Sequence, residues 1–170
     1  MTLIVIIKIL AIIILLLLSA LSSGSETALT AVSKQRAHRQ KDKGAKNANF
    51  ILKIKEFKDE FITGILLANN LFNILATALM TELLVSEFGG LGVSVATIFM
   101  TLMIVIFSEV TPKIFAINKP MTFALKVSKF FYFYTKLIKP IVNLINKVCN
   151  KIAKGKLQKS QNQSTVWVST

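Results

Sequence analysis

Ile106-Phe107-Ser108-Glu109-Val110-Thr111-Pro112-Lys113 closes an apolar run, residues 93–107, that holds no charged side chain. Glu109 therefore sits inside or at the edge of a membrane. An ionisable residue there costs roughly 2.5–3.5 kcal/mol on insertion scales and marks a functional site by default. Pro112 sharpens that reading. A proline within a helix lacks the N–H that would bond the carbonyl four residues back, and its ring pushes against that carbonyl. Four back is Ser108. The freed Ser108 carbonyl, the Ser108 hydroxyl and the Glu109 carboxylate are then hard oxygen donors within one turn, a set that suits a small hard cation.

Composition agrees with a membrane setting. Of 170 residues, 53% are apolar, and mean hydropathy is +0.60. The single Cys149 forms no internal disulfide and is too little for a thiolate metal site. His38, the only histidine, lies in a run of lysines and arginines, so zinc sites and Ser-His-Asp triads lack their parts. The net charge of +13 would suit nucleic-acid binding. Its distribution argues otherwise: residues 34–58 hold nine Lys/Arg, residues 113–159 hold eleven, and all eight acids lie at or before Glu109. Positive blocks flanking apolar spans are the positive-inside pattern.

The spacing predicts three spans at about 3–25, 61–85 and 92–117, an all-α membrane fold. The first contains Lys8, which snorkels to the headgroups. Its competitor is a secretory signal peptide with a small-residue cleavage region at residues 19–23. No Lys or Arg precedes its apolar core and a strongly basic segment follows, which favours a retained helix with its N-terminus outside. Residues 26–60 read as two polar helices with a break near Gly44, a cytoplasmic helical hairpin. Phe50, Ile51, Ile54, Phe57 and Phe61 give its second half an amphipathic stripe. Residues 86–92 are a short turn without Lys or Arg, so the second and third spans are antiparallel neighbours. Pro112 is expected to break the third span.

Polar residues mark one face of each span. Asn69, Asn73, Thr77 and Thr81 recur every four residues, and Ser94, Thr97, Thr101 and Ser108 form a second stripe ending at Glu109. Such faces look toward protein or water, and interhelical hydrogen bonding alone can account for them. The first span offers Ser19, Ser22, Ser23 and Ser25 around Gly24, where the helix is weak and its carbonyls are expected to open toward a cavity. Residues 121–155 interleave Phe130-Phe131-Tyr132-Phe133-Tyr134 with lysines and are divided by Pro140. They read as one or two amphipathic belt helices on the inner leaflet, a fourth span being the alternative. Residues 1–156 thus form one transmembrane domain, and 157–170 a polar, disordered tail.

Three ordered motifs carry a family resemblance. Ala20-Leu21-Ser22-Ser23-Gly24-Ser25-Glu26-Thr27-Ala28-Leu29-Thr30-Ala31, then Asn69-Asn70-Leu71-Phe72-Asn73, then Glu109-Val110-Thr111-Pro112-Lys113 resemble the transmembrane domain of the CorC/cyclin-M magnesium transporters, also called hemolysin-related proteins. The resemblance covers roughly residues 3–155. It implies three membrane helices, a cytoplasmic hairpin, a juxtamembrane belt helix and a homodimer in the cell (inner) membrane. It also implies Mg²⁺ bound within the membrane by first-helix serines, the asparagine motif and the third-helix glutamate, with export often linked to Na⁺. Family members commonly have glycine where this chain has Ala68 and Ser108, and an apolar aromatic at Ser23. The added Ser108 hydroxyl bears on ion preference. Family proteins usually continue into paired CBS modules, which do not occur in this chain.

The expectation is a Mg²⁺-transport domain and not an enzyme. Glu109 is its charged ligand, with neutral oxygens from Ser22, Ser25 and Asn70, joined by Asn69, Asn73 and Ser108. The alternative is a non-transporting anchor or scaffold whose polar stripes serve helix packing and whose Glu109 pairs with Lys113. A lytic, holin-like peptide is a third reading, drawn from the basic aromatic belt.

Overall fold

A computed structural model describes the backbone of residues 2–166 and the side chains of residues 3–149 except Asn146. It contains helices α1 (Thr2–Ala31), α2 (Lys34–Asp42), α3 (Ala48–Glu56), α4 (Lys58–Phe88) and α5 (Leu91–Met103). A π-helical segment (Ile104–Val110) leads from α5 into α6 (Thr111–Asn118), and α7 (Pro120–Val166) follows. No strand occurs among the described residues. The chain is an all-α membrane protein. Leu3–Ala31, Lys58–Phe88 and Leu91–Asn118 are long and apolar enough to cross a bilayer, and α7 is not among them.

The elements differ from the sequence expectation at their ends, for local reasons. Gly24 does not open α1, which runs on to Ala31. The hydroxyls of Ser22, Ser25 and Thr27 donate to the carbonyls of Leu18, Leu21 and Ser23, four residues back, and so stay within the helix. Instead of opening toward a cavity, Gly24 permits close approach: a Cβ there would lie 3.0 Å from the Phe123 ring and 3.3 Å from the Pro112 carbonyl oxygen. The turn expected over residues 86–92 contracts to Gly89 and Gly90, between α4 and α5. Gly92 then packs against the Leu84 carbonyl of α4, leaving no room for any side chain.

Nor does Pro112 break the third span. The π-helical segment takes up the register change, with the Thr111 N–H bonded to the Ile106 carbonyl five residues back. Pro112 then falls in the first turn of α6, where a missing N–H costs nothing. Pro140 likewise lies inside α7 without ending it. The expected polar tail begins as helix, since α7 continues to Val166 through lysines and glutamines of good helix propensity. Residues 167–170 of that tail lie outside the described residues.

Two apolar clusters hold the helices together. Ile12 of α1, Ala76 of α4 and Met100 of α5 pack near the end with the α4–α5 turn. At the other end the hairpin formed by α2 and α3 packs with α1, α4, α6 and α7 through Leu29, Ile51, Phe61, Ala116, Val127 and Phe131. The hairpin is therefore part of the core. Asn47, in the left-handed conformation at φ 71°, ties it to α7: its Nδ2 donates to the Leu125 carbonyl at 3.0 Å and its carbonyl accepts from Ser128 at 3.2 Å.

A second tie joins α7 to α4. The Tyr134 hydroxyl donates to the Gly64 carbonyl at 3.2 Å, and burial pushes its phenol above the ordinary 10.0. A raised folded-state pKa gives stability that is complete below the unfolded value and lost as pH rises through the folded one. Thermal unfolding in detergent should therefore shift down above pH 10. Tyr134→Phe should lower stability by about 0.5–1.5 kcal/mol at neutral pH and flatten that alkaline fall.

Candidate functional site

Between the two apolar clusters lies a polar layer to which all three spans contribute. Ser19, Ser22, Ser23 and Ser25 of α1 and Ser108 of the π-helical segment are buried, and Asn69, Asn73 and Glu109 are half-buried. The three helices reach this layer at one depth without breaking. Counted at 1.5 Å per residue from the hairpin-side helix ends, Ser19 is about 18 Å in, Asn70 about 18 Å and Ser108 about 15 Å. The match arises because α1 and α4 both extend beyond their apolar portions, to Ala31 and back to Lys58.

Ser19 is the centre of the layer. Its Oγ lies 2.6 Å from Asn69 Oδ1 and 2.6 Å from Asn73 Oδ1. A hydroxyl has one proton, so it donates to one of these amide oxygens and meets the other without a proton between them. Three converging hard oxygens short of protons are a favourable setting for a cation. Next to it the Ser108 hydroxyl donates to the Leu16 carbonyl of α1 at 3.1 Å. The Ser23 hydroxyl faces the Glu109 backbone carbonyl at 3.5 Å, the outer limit of a hydrogen bond. Among the described residues the Glu109 carboxylate has neither an ion pair nor a hydrogen bond. Lys113, an exposed residue one turn on, does not pair with it.

The expected ligand residues do not all converge. Asn69 and Asn73 meet at Ser19, and Ser108 and Glu109 lie against the same stretch of α1. Ser22 and Ser25 are buried in that stretch with their protons committed to their own helix, which leaves their lone pairs as acceptors. Asn70 is exposed on α4 and meets none of the others within this chain. The stripe Ser94, Thr97 and Thr101 is also exposed, and the Thr97 and Thr101 hydroxyls return to Val93 and Thr97. Among the described residues no three His, Cys, Asp or Glu side chains gather to hold a metal. The site depends on one carboxylate and neutral oxygens.

Spacing along a single helix does not single out Ser19. Register between helices does. Lys8 Nζ bonds Glu82 Oε1 at 2.8 Å, so Lys8 pairs across to α4. In an antiparallel pair pinned there, eleven residues on from Lys8 is Ser19, and nine and thirteen back from Glu82 are Asn73 and Asn69.

Residues 10–167 match the family model described as the cyclin M transmembrane N-terminal domain. The chain is 32% identical over 124 residues to the UPF0053 inner membrane protein YfjD of Escherichia coli, covering 73% of this chain and 29% of that protein. It is 35% identical over 122 residues to a UPF0053 protein of Haemophilus influenzae, covering 72% and 29%. A chloroplastic DUF21 domain-containing protein of Arabidopsis thaliana is 34% identical over 94 residues, 55% of this chain and 14% of that one. The chain thus spans less than a third of the length of these relatives.

Ser19→Ala should leave two half-buried amide oxygens facing each other. The expected loss is about 0.5–2 kcal/mol, within the range for interhelical hydrogen bonds in membranes. Thermal unfolding in detergent measures it, and Ser19→Thr, which keeps the hydroxyl, should recover most of it.

Proposed function

The chain belongs to the cyclin M transmembrane-domain family, and from that membership together with the polar layer we propose that it binds and transports Mg²⁺ within the membrane. The observation that carries the reading is the half-buried Glu109 carboxylate, unpaired among the described residues, beside buried serines on a π-helical segment of a spanning helix. A charge in that setting is too costly to keep for packing alone, and single-turn π-helices recur at functional sites. A cation is the partner that completes it.

In this reading Glu109 supplies the charge. Ser22, Ser25, Asn69, Asn73 and Ser108, with Ser19 added, supply neutral oxygens. Magnesium dehydrates reluctantly, and one carboxylate with neutral donors holds it loosely enough to let it go, as transport requires. We assign the direction as export and the coupling ion as Na⁺, following the family resemblance. The membrane is the cell membrane, in line with the inner-membrane name of the E. coli relative, with the basic hairpin and α7 cytoplasmic and the N-terminus outside. The functional unit is a homodimer, in which a partner copy covers the exposed Asn70 face of α4.

The scaffold reading has one observation in its favour. Every buried side-chain oxygen or nitrogen among the described residues already has a hydrogen-bond partner. In that case one asparagine amide turns its nitrogen toward Ser19 and no oxygen cluster exists.

Metal-dependent stability separates the two. A ligand at ten times its Kd stabilises the folded state by about 1.4 kcal/mol. Purified protein should gain thermal stability with millimolar Mg²⁺ and move Mg²⁺ across liposome membranes, and Glu109→Gln should abolish both. A mutant that keeps the full Mg²⁺ response contradicts the site.

A further inference from the structure

Eight acids occur in the chain, and their surroundings divide them sharply. Asp42, Glu56, Asp59 and Glu87 are exposed. Glu60 and Glu82 have ammonium partners in Lys139 and Lys8. Glu26 and Glu109 alone are half-buried without an ion pair or a side-chain hydrogen bond among the described residues. Enclosing an uncompensated carboxylate is costly. That cost falls on these two residues, and the polar layer described above uses only Glu109.

Both meet the same turn of α1. Ser19, Ser22, Ser23 and Glu26 stand at i, i+3, i+4 and i+7, so they share one face of that helix. Side chains of a helix tilt toward its N-terminus, which for Glu26 is toward Ser22, Ser23 and the polar layer beyond. Glu26 is roughly 10 Å along the helix from Ser19, on the side of the hairpin. Glu109 reaches this turn from the π-helical segment, its backbone carbonyl facing Ser23 Oγ at 3.5 Å. Ser23, one turn from Glu26 and beside the Glu109 backbone, links the two positions.

Helix stability does not account for Glu26. It lies near the C-terminal end of α1 and caps no N-terminus, where a carboxylate is of use. The residues three and four positions away are Ser22, Ser23, Leu29 and Thr30, none of them a cation. Yet the chain around this end is strongly basic, with nine Lys/Arg in residues 34–58 and eleven in 113–159. A free cation approaching from there meets a repulsive field, which a carboxylate on the inward face of α1 offsets locally.

We propose that Glu26 draws the divalent cation in from the hairpin side and hands it to the Glu109 site, a role that rests on the Mg²⁺ reading above. Glu26 acts on the ion through its charge, at a distance from the Glu109 carboxylate that leaves the final ligand set unchanged. Coulomb attraction between a divalent ion and a carboxylate roughly 10 Å apart is modest, so neutralising Glu26 should raise the half-maximal Mg²⁺ concentration about three- to tenfold.

The test is Mg²⁺ titration of the full chain, read as thermal stabilisation in detergent and as flux in liposomes. Glu26→Gln should shift both midpoints by that factor, while full stabilisation and full flux return at saturating Mg²⁺. Glu26→Asp should recover most of the shift. Glu56→Gln, which removes the same charge from an exposed hairpin position, should show none. High salt should narrow the gap between Glu26→Gln and the unsubstituted chain, and melting without Mg²⁺ checks that each variant folds. An unshifted midpoint in Glu26→Gln, an equal shift in Glu56→Gln, or a response lost even at saturating Mg²⁺ would overturn the proposal and leave the Glu109 site standing. No Mg²⁺ response in the unsubstituted chain, or a full response in Glu109→Gln, would instead refute the Mg²⁺ reading and the proposal with it.

Discussion

Oxygen-bearing side chains placed halfway along membrane helices must be enclosed by protein, and this constraint arranges the rest of the molecule. α1 carries four serines within seven residues, following a long apolar run in the same helix. In hydrocarbon each hydroxyl would lack solvent, so that face turns inward and α4, the π-helical segment, α6 and α7 gather around it. Gly24 allows one close approach, bringing Pro112 and Phe123 against α1. The two apolar clusters then lie on either side of the polar layer and fix its depth.

The π-helical segment resolves a conflict within the sequence. A proline four residues after Ser108 would leave a carbonyl unbonded in a regular helix, in a medium that offers no water. Widening one turn moves Pro112 into a fresh helical start and keeps the span continuous from Leu91 to Asn118. The same widening places Ser108 against Leu16 and Glu109 against Ser23, so two successive residues both meet α1. Glu109 is thus held next to the serines by backbone geometry, and its carboxylate has no counter-charge among the described residues. That is a poor arrangement for a structural ion pair and a suitable one for an exchangeable cation.

Much of the fold is legible in the sequence because the bilayer enforces a simple code. Long apolar runs give the three spans, and the placement of lysines marks the hairpin and α7 as different from them. The element ends were harder to read. Nothing local says that Gly24 sits mid-helix, since its role appears only when Pro112 and Phe123 are beside it. The polar layer was partly legible: Glu109, Ser108 and the Asn69–Asn73 pair stand out as costly groups in apolar surroundings. Ser19 did not stand out among four serines, because its significance comes from α4, fifty residues away in sequence. Asn70 stands apart from that pair: the helical turn of about 100° per residue carries it off the Asn69–Asn73 face to an exposed position on α4.

The account depends on a cation occupying the space between Glu109 and the serine–asparagine cluster. Manganese is a suitable stand-in for magnesium, with similar preference for oxygen ligands and a measurable anomalous signal. Crystals of the protein grown with Mn²⁺ should show an anomalous peak about 2.0–2.3 Å from a Glu109 carboxylate oxygen, within reach of oxygens on α1 and α4, and the peak should fade when excess Mg²⁺ is added. Anomalous density confined to surface acids such as Asp59 and Glu87, with the interior beside Glu109 filled by protein alone, would contradict it.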